Sequence, residues 1–136
     1  MIAGFTGTKE GISQKQRESL ESLIIRCKTL HHGDCIGADD SAHQIAYLKD
    51  LKIVIHPPTD PKHRAFCIGA AIMWEEKPYL MRNHDIVDCS QILIACPKEE
   101  SGEELRSGTW ATVRYARKCG KKIFIVRPSG RIEIEN

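Results

Sequence analysis

Short apolar runs recur along the chain with amphipathic stretches between them, a pattern that predicts strands alternating with helices. Ile2 to Phe5 reads as a first strand and Thr29 to His32 as a second. Lys52 to His56 is a third, β-branched and halted by Pro57-Pro58. Ile92 to Ala95 and Ile123 to Val126 bring the number to five. These runs do not alternate apolar with polar residues, as expected of strands covered on both faces of a parallel sheet. Leu20, Leu23, Ile24 and Cys27 recur at spacings of three and four, one buried face of a helix from Ser13 to Lys28. Ser13, followed three positions on by Gln16, supplies a capping box. A second helix spans Asp39 to Leu48, with Ala42, Ile45, Ala46 and the stem of Lys49 inward. A third runs from Pro78 to about Cys89, with Leu80, His84 and Val87 on different sides from Met81, Asp85 and Asp88; a fourth begins near Ser107. Thr59 to Pro78 is the least legible part: Arg64 to Trp74 fits a short helix or a covering loop. Arg131 to Asn136 fits a small extra strand or a tail.

This order predicts an α/β fold, a three-layer Rossmann-like domain with a mostly parallel sheet of about five strands. In such sheets ligands sit beyond the carboxyl ends of the strands, where the strand order reverses. The rule gathers Thr6-Gly7, His32 to Asp39, His56-Pro57 and Cys96 to Thr109 on one rim. The polar loop from Lys98 to Glu104 is placed to close over a ligand or to remain a solvated surface.

Composition narrows the function classes. The 136 residues, 41% apolar and 28% charged, fit one soluble domain over 1–136. A net charge of +2 from scattered basic residues gives no stripe for a nucleic-acid backbone, so nucleic acid is not an expected partner. No apolar stretch approaches the length of a bilayer span, and the first residues lack the segments of a secretion signal. A cytoplasmic location is expected, with the six well-spread cysteines as reduced thiols. No clustered ligand spacing supports a metal site, and no resident cofactor is implied.

The candidate chemistry lies in the turns. Ser107-Gly108-Thr109 stands at a strand-to-helix junction, where free N–H groups at a helix start suit a phosphate. Gly7 and the Thr6 hydroxyl form a second such turn or a simple tight one. The glycines there lack the GxGxxG spacing of a nicotinamide dinucleotide fold. From Gly33 to Asp39, Gly33 and Gly37 allow close backbone approach and Asp34 and Asp39 supply carboxylates, with Ala38 between them and the helix. Asp39 serves either a ligand or the helix start as a cap. His43, four residues on, shares its helical face, yet fits a structural histidine better than a ligand group. Arg82-Asn83 pairs a rigid donor fork with an amide, a combination suited to a phosphate or a ribose hydroxyl. Cys35 lacks a placed base and is not expected to be a nucleophile. Trp110 either stacks on a base or packs in the interior.

Four segments carry a family resemblance: Gly4 to Gly7, Gly33 to His43, Tyr79 to Val87 and Arg106 to Thr112. In these, and in their order, the chain resembles the SLOG superfamily. That Rossmann-like group contains DNA-processing protein A, the LOG phosphoribohydrolases and molybdenum-cofactor carrier proteins. The second and third segments look most like DNA-processing protein A. The resemblance implies a nucleotide-like pocket and a homo-oligomer. It also implies a phosphate role for Arg82, Gly108 and Thr109. The phosphoribohydrolases carry a catalytic glutamate three positions after the motif threonine, and here that position is Thr112.

Three functional readings stay open. The first is a binding or sensing domain for a nucleotide or sugar-phosphate small molecule. The second is an N-glycoside hydrolase acting on a nucleoside 5'-monophosphate, with Asp34 or Asp39 as the catalytic carboxylate. The third is a structural or protein-interaction domain.

Overall fold

All five expected strands form, and two short ones extend the sheet at its edges. The computed structural model describes residues 1–136. Its elements are β1 (Ile2–Gly7), α1 (Gln14–Ile24), β2 (Thr29–His32), α2 (Ala38–Leu48) and β3 (Lys52–Ile55). A 3-10 turn (Pro61–His63) precedes β4 (Ile72–Met73), α3 (Tyr79–Asp88), β5 (Ile92–Cys96), α4 (Gly108–Lys118), β6 (Lys122–Val126) and β7 (Ile132–Glu135). The sheet order is β4-β3-β2-β1-β5-β6-β7. Every pairing is parallel except that of β6 with β7.

The sheet thus has seven strands where about five were expected. β4 is a two-residue edge strand with both side chains exposed, too short to leave a periodic signal. It lies in the stretch that read as a helix or a covering loop. β7 alternates Ile132-Glu133-Ile134-Glu135, the pattern of an edge strand with one face toward water.

The capping box at Ser13 forms, its hydroxyl accepting from Gln16 N–H at 3.0 Å. α1 ends at Ile24 rather than Lys28, because Arg26 N–H and Cys27 N–H bond to carbonyls three residues back and tighten the chain into a turn. Cys27 nevertheless stays buried. In α2, Ala42, Ile45 and Ala46 are buried as expected, while Lys49 is exposed beyond the helix end. In α3, Arg82, Ile86 and Val87 turn inward, whereas Leu80, grouped with Val87 by the sequence pattern, is exposed, as is Met81. This orientation brings the Arg82 guanidinium to carbonyl partners in the interior.

Two apolar layers flank the sheet. Phe5, Leu20, Ile24, Ile45 and Ile53 belong to the layer under α1 and α2; Val87, Leu93, Trp110, Val113 and Ile123 form the layer under α3 and α4. The strand order reverses between β1 and β5, where Gly7 pairs with Cys96 and Thr8 N–H bonds to Cys96 O at 3.0 Å. The start of α2 docks on this point through Ala38 N–H to Thr8 O at 2.9 Å. Gly37 makes the approach possible: its φ is 86°, and a Cβ there would overlap the Thr8–Lys9 backbone.

Candidate functional site

The carboxyl ends of β1, β2 and β5 and the starts of α2, α3 and α4 enclose a cavity of about 460 Å³, a volume suited to a small ligand. Thr6, Gly7, Gly33, Asp39, Arg82, Asn83, Ser107, Gly108 and Thr109 all line it. Residues from four separated segments therefore meet at the reversal point of the sheet.

Ser107 caps α4, its hydroxyl accepting from Trp110 N–H at 3.3 Å. Ala111 N–H bonds to Ser107 O, so the helix is fully engaged from its fourth residue. Gly108 N–H and Thr109 N–H have no partner within the chain. They form a pair of donors at the positive end of the helix dipole, in the wall of the cavity.

Arg82 reaches the cavity from inside the protein. Its side chain is buried, with Nη1 donating to Gly33 O and to His56 O at 3.1 Å and Nε donating to the Asn83 side chain. The guanidinium lies 5.1 Å from the Tyr79 ring centroid. Nη2 makes no hydrogen bond within the chain, which leaves one edge of the fork available at the cavity.

Asp39, in the first turn of α2, is buried and accepts from Cys35 N–H at 3.1 Å. Burial pushes its carboxyl up to about 6, with the Arg82 guanidinium pulling it part of the way back. This acid therefore titrates near neutrality, beside the guanidinium.

Asp34 takes a different position. It is fully buried, does not line the cavity and adopts φ 57°. Its oxygens accept from Arg64 Nε at 2.8 Å and Cys67 N–H at 2.9 Å. Burial alone would raise its pKa, but these donors hold the carboxyl below its ordinary value. Asp34 is thereby committed to fastening the Arg64–Cys67 segment, and the structure gives it no path to a ligand. Gly37 and Ala38 also lie outside the lining, spent on the contact between α2 and β1.

The histidines behind the site are fixed by their partners. Asp34 N–H donates to His32 Nδ1 at 2.9 Å, so His32 carries its proton on Nε2. Nε2 then donates to His43 Nδ1 at 2.9 Å, and His43 Nε2 donates to Ile68 O at 2.7 Å. Burial, then the neighbouring His43, holds the His32 pKa down to about 3. His43 is a structural histidine. Cys35 borders the cavity, but burial and the nearby Asp39 push its thiol up to about 11.

Sequence reasoning missed Tyr79, His63 and Glu10, which also line the cavity. Glu10 sits beside Gly11 in the turn after β1, where an acidic residue is no signal for an anion site, and only the fold brings Tyr79 and His63 to the cavity. The Lys98–Glu104 loop does border the cavity, with Lys98 paired to Glu10 at 3.0 Å. Trp110 is interior, its Nε1 donating to Glu99 Oε1 at 2.9 Å. Thr112, three positions after Thr109, is buried and donates to Gly108 O at 2.9 Å.

Comparison with solved structures finds the same fold in two groups of proteins. The molybdenum cofactor binding protein from Rippkaea orientalis is 20% identical, with TM-score 0.71 over 93% of this chain and 76% of its own. The molybdenum cofactor carrier protein from Chlamydomonas reinhardtii is 20% identical, with TM-score 0.66 over 91% of this chain and 74% of its own. DNA processing protein A from Helicobacter pylori, solved for its single-stranded DNA binding mode, is 18% identical; the TM-score is 0.65 over 92% of this chain and 64% of its own. No protein-family profile and no curated protein matches the sequence. At 18–20% identity the likeness establishes a shared Rossmann-like fold.

Proposed function

We propose that this chain binds a nucleotide or a nucleotide-derived phosphorylated ligand in the cavity at the sheet's reversal point. The supporting observation is the convergence of two unpartnered N–H groups, from Gly108 and Thr109, with the open edge of the Arg82 guanidinium. A dipole end and a buried planar cation on one cavity suit a phosphate far better than a neutral group. The molybdenum-cofactor and DNA-binding proteins of the same fold are in keeping with a phosphorylated ligand. A thermal-shift series tests the reading by pairing nucleoside 5'-monophosphates with their nucleosides. A ligand of the native state raises the melting temperature, so the phosphorylated member of a pair should stabilise and its nucleoside should not. Equal shifts within every pair would remove the phosphate from the proposal.

One observation favours a second reading, N-glycoside hydrolysis. Asp39 lines the same cavity as a carboxyl titrating at about 6, in range to stabilise a developing ribosyl cation or to orient water. In that reading Asp39 alone is the catalytic carboxylate, since Asp34 is held by Arg64 and Cys67. Exposure of Phe66, Ile68, Leu80 and Met81 supports association of copies of the chain, which sedimentation would detect.

A further inference from the structure

Beneath α3, on the sheet face opposite α1 and α2, three potential metal donors come together from distant parts of the sequence. His31 lies on β2, His56 follows β3, and Cys89 caps the end of α3. One ring nitrogen from each histidine and the Cys89 Sγ all lie within 4.8 Å of one another. His31 Nδ1 and His56 Nε2 are 2.8 Å apart. His56 is buried, and its Nδ1 has no hydrogen-bond partner, alone among the buried side-chain nitrogens and oxygens. Neither direction of the proton between the two rings repairs this. If His56 Nε2 donates, Nδ1 is a bare acceptor without a donor; if it accepts, Nδ1 carries a proton without an acceptor. With Nε2 as a metal ligand, Nδ1 would keep its proton and stay without a partner, so the juxtaposition of the three donors, and not this nitrogen, carries the site.

We propose that His31, His56 and Cys89 form a binding site for a divalent cation of the zinc class. Two imidazoles and a thiolate are a donor set that zinc takes readily, whereas magnesium and calcium require oxygen ligands. Tetrahedral zinc, at about 2.0–2.3 Å from its ligands, sets donors about 3.3–3.7 Å apart. The two nitrogens would open by about half an ångström to accept it, breaking their mutual hydrogen bond. Asp85 stands one helical turn before Cys89 on α3, and its Oδ1 makes no hydrogen bond, Oδ2 being held by Lys77 at 2.7 Å. That free oxygen lies outside the group of three donors, so a water would fill the fourth position. On binding, the Cys89 thiol releases its proton to solvent and the thiolate offsets one of the two metal charges. The ion would join β2, β3 and α3 directly behind the ligand cavity, where His56 O accepts from Arg82. The cluster escapes notice in the sequence because its members are spread over 31, 56 and 89, without the close spacing of known zinc motifs.

Cobalt(II) titration of the chelator-treated chain tests the site, since tetrahedral cobalt with a thiolate ligand gives strong visible bands and a sulfur-to-cobalt charge-transfer band. One cobalt per chain, both sets of bands and displacement by zinc are expected. Cys89→Ser, with circular dichroism verifying its fold, should lose the charge-transfer band and weaken binding by about tenfold or more. His31→Gln should weaken the visible bands, a second readout if the cysteine variant folds poorly. Cys119→Ser removes an exposed thiol elsewhere and should change nothing. Absence of the charge-transfer band in the wild type at millimolar cobalt would overturn the proposal, as would a band that survives Cys89→Ser.

Discussion

Arg82, on α3, donates from Nη1 to the carbonyl oxygen of Gly33, and its guanidinium fills the space a Gly33 side chain would occupy. The two residues are 49 positions apart, yet each makes the other's place at the cavity possible. Gly33→Ala should therefore act through Arg82. A Cβ at residue 33 overlaps the guanidinium and must displace it, so the variant should lose phosphate preference much as Arg82→Ala does. We expect losses of about tenfold in each, near the worth of one charge-assisted hydrogen bond. The double variant should lose little more than the worse single one, as residues acting as a unit are not additive. Calorimetric titration with a nucleoside monophosphate and its nucleoside reads the effect; full additivity would separate the two residues. Arg82→Lys should also lose affinity, because it keeps the charge but not the fork.

At the other end of the cavity the steric situation is reversed. A Cβ built on Gly108 meets no atom within 4 Å, so Gly108→Val has room in the folded chain. The added side chain occupies the space beside the free N–H groups of α4. The variant should melt within a few degrees of the wild type while losing phosphorylated ligands far more than unphosphorylated ones. Equal losses for both would show that no phosphate sits there.

Much of this arrangement was legible because local chemistry announces helix starts. The Ser13–Gln16 capping box and the Ser107 cap are short-range features, each written within four residues. The glycine turns and the parallel strand pattern place Thr6, Gly33 and Gly108 on one rim, while Arg82 stands out by its donor fork beside Asn83. Direction was less legible than position. Asp34 and Asp39 look alike in sequence, yet Arg64, 30 residues further on, takes the first and leaves the second at the cavity. α3 is hard to read for a related reason: its inward face is built around a buried arginine, so Val87 is buried while Leu80, grouped with it by the sequence pattern, is exposed. β4 has only two residues, and its edge pairing with β3 depends on where the preceding loop is tied down.

That tie yields a stability prediction. Asp34 is fully buried and bonded to Arg64 and Cys67 N–H. Removing one member of such a pair strands the other, at a cost of about 3–5 kcal/mol. Arg64→Ala should fall toward the lower part of that range, because the Cys67 N–H still serves the carboxylate. Chemical denaturation gives the values; a change below about 0.5 kcal/mol, the ordinary range of surface substitutions, would mean the pair does not hold the segment.

Asp39 should make stability depend on pH in the opposite sense to an ion-paired carboxylate. Its folded pKa, raised to about 6 by burial, lies above the ordinary 3.8, so the folded chain binds the proton more tightly than the unfolded one. Its contribution is fully present below about pH 4 and declines as pH rises through 6. Asp39→Asn, which cannot ionise, should be the more stable protein at pH 7.5, by up to about 3 kcal/mol for a shift of this size. The difference should close near pH 4. Melting curves of both proteins across this range give the answer, and a constant difference would mean that Asp39 does not titrate in this window.

The same residue separates the two functional readings. If the chain only binds its ligand, a nucleoside monophosphate at saturating concentration stays intact on prolonged incubation, and Asp39→Asn alters affinity at most. If it hydrolyses the N-glycosidic bond, wild type releases free base. Asp39→Asn should then stop release while keeping much of the binding, because the charge is needed most in the transition state. Asp34→Asn serves as the structural comparison: it should cost stability, and any loss of turnover should follow the fraction unfolded. Cys35→Ser should be nearly silent in both cases, the thiol being held protonated with a pKa near 11. Chromatography of base against intact nucleotide resolves all four proteins. Thr112, turned back onto Gly108 O, offers no carboxylate at the position where the phosphoribohydrolases that the sequence resembles carry a glutamate, so the expected result is binding without release. Robust wild-type turnover that disappears in Asp39→Asn would instead make this chain a hydrolase with its carboxylate supplied from α2.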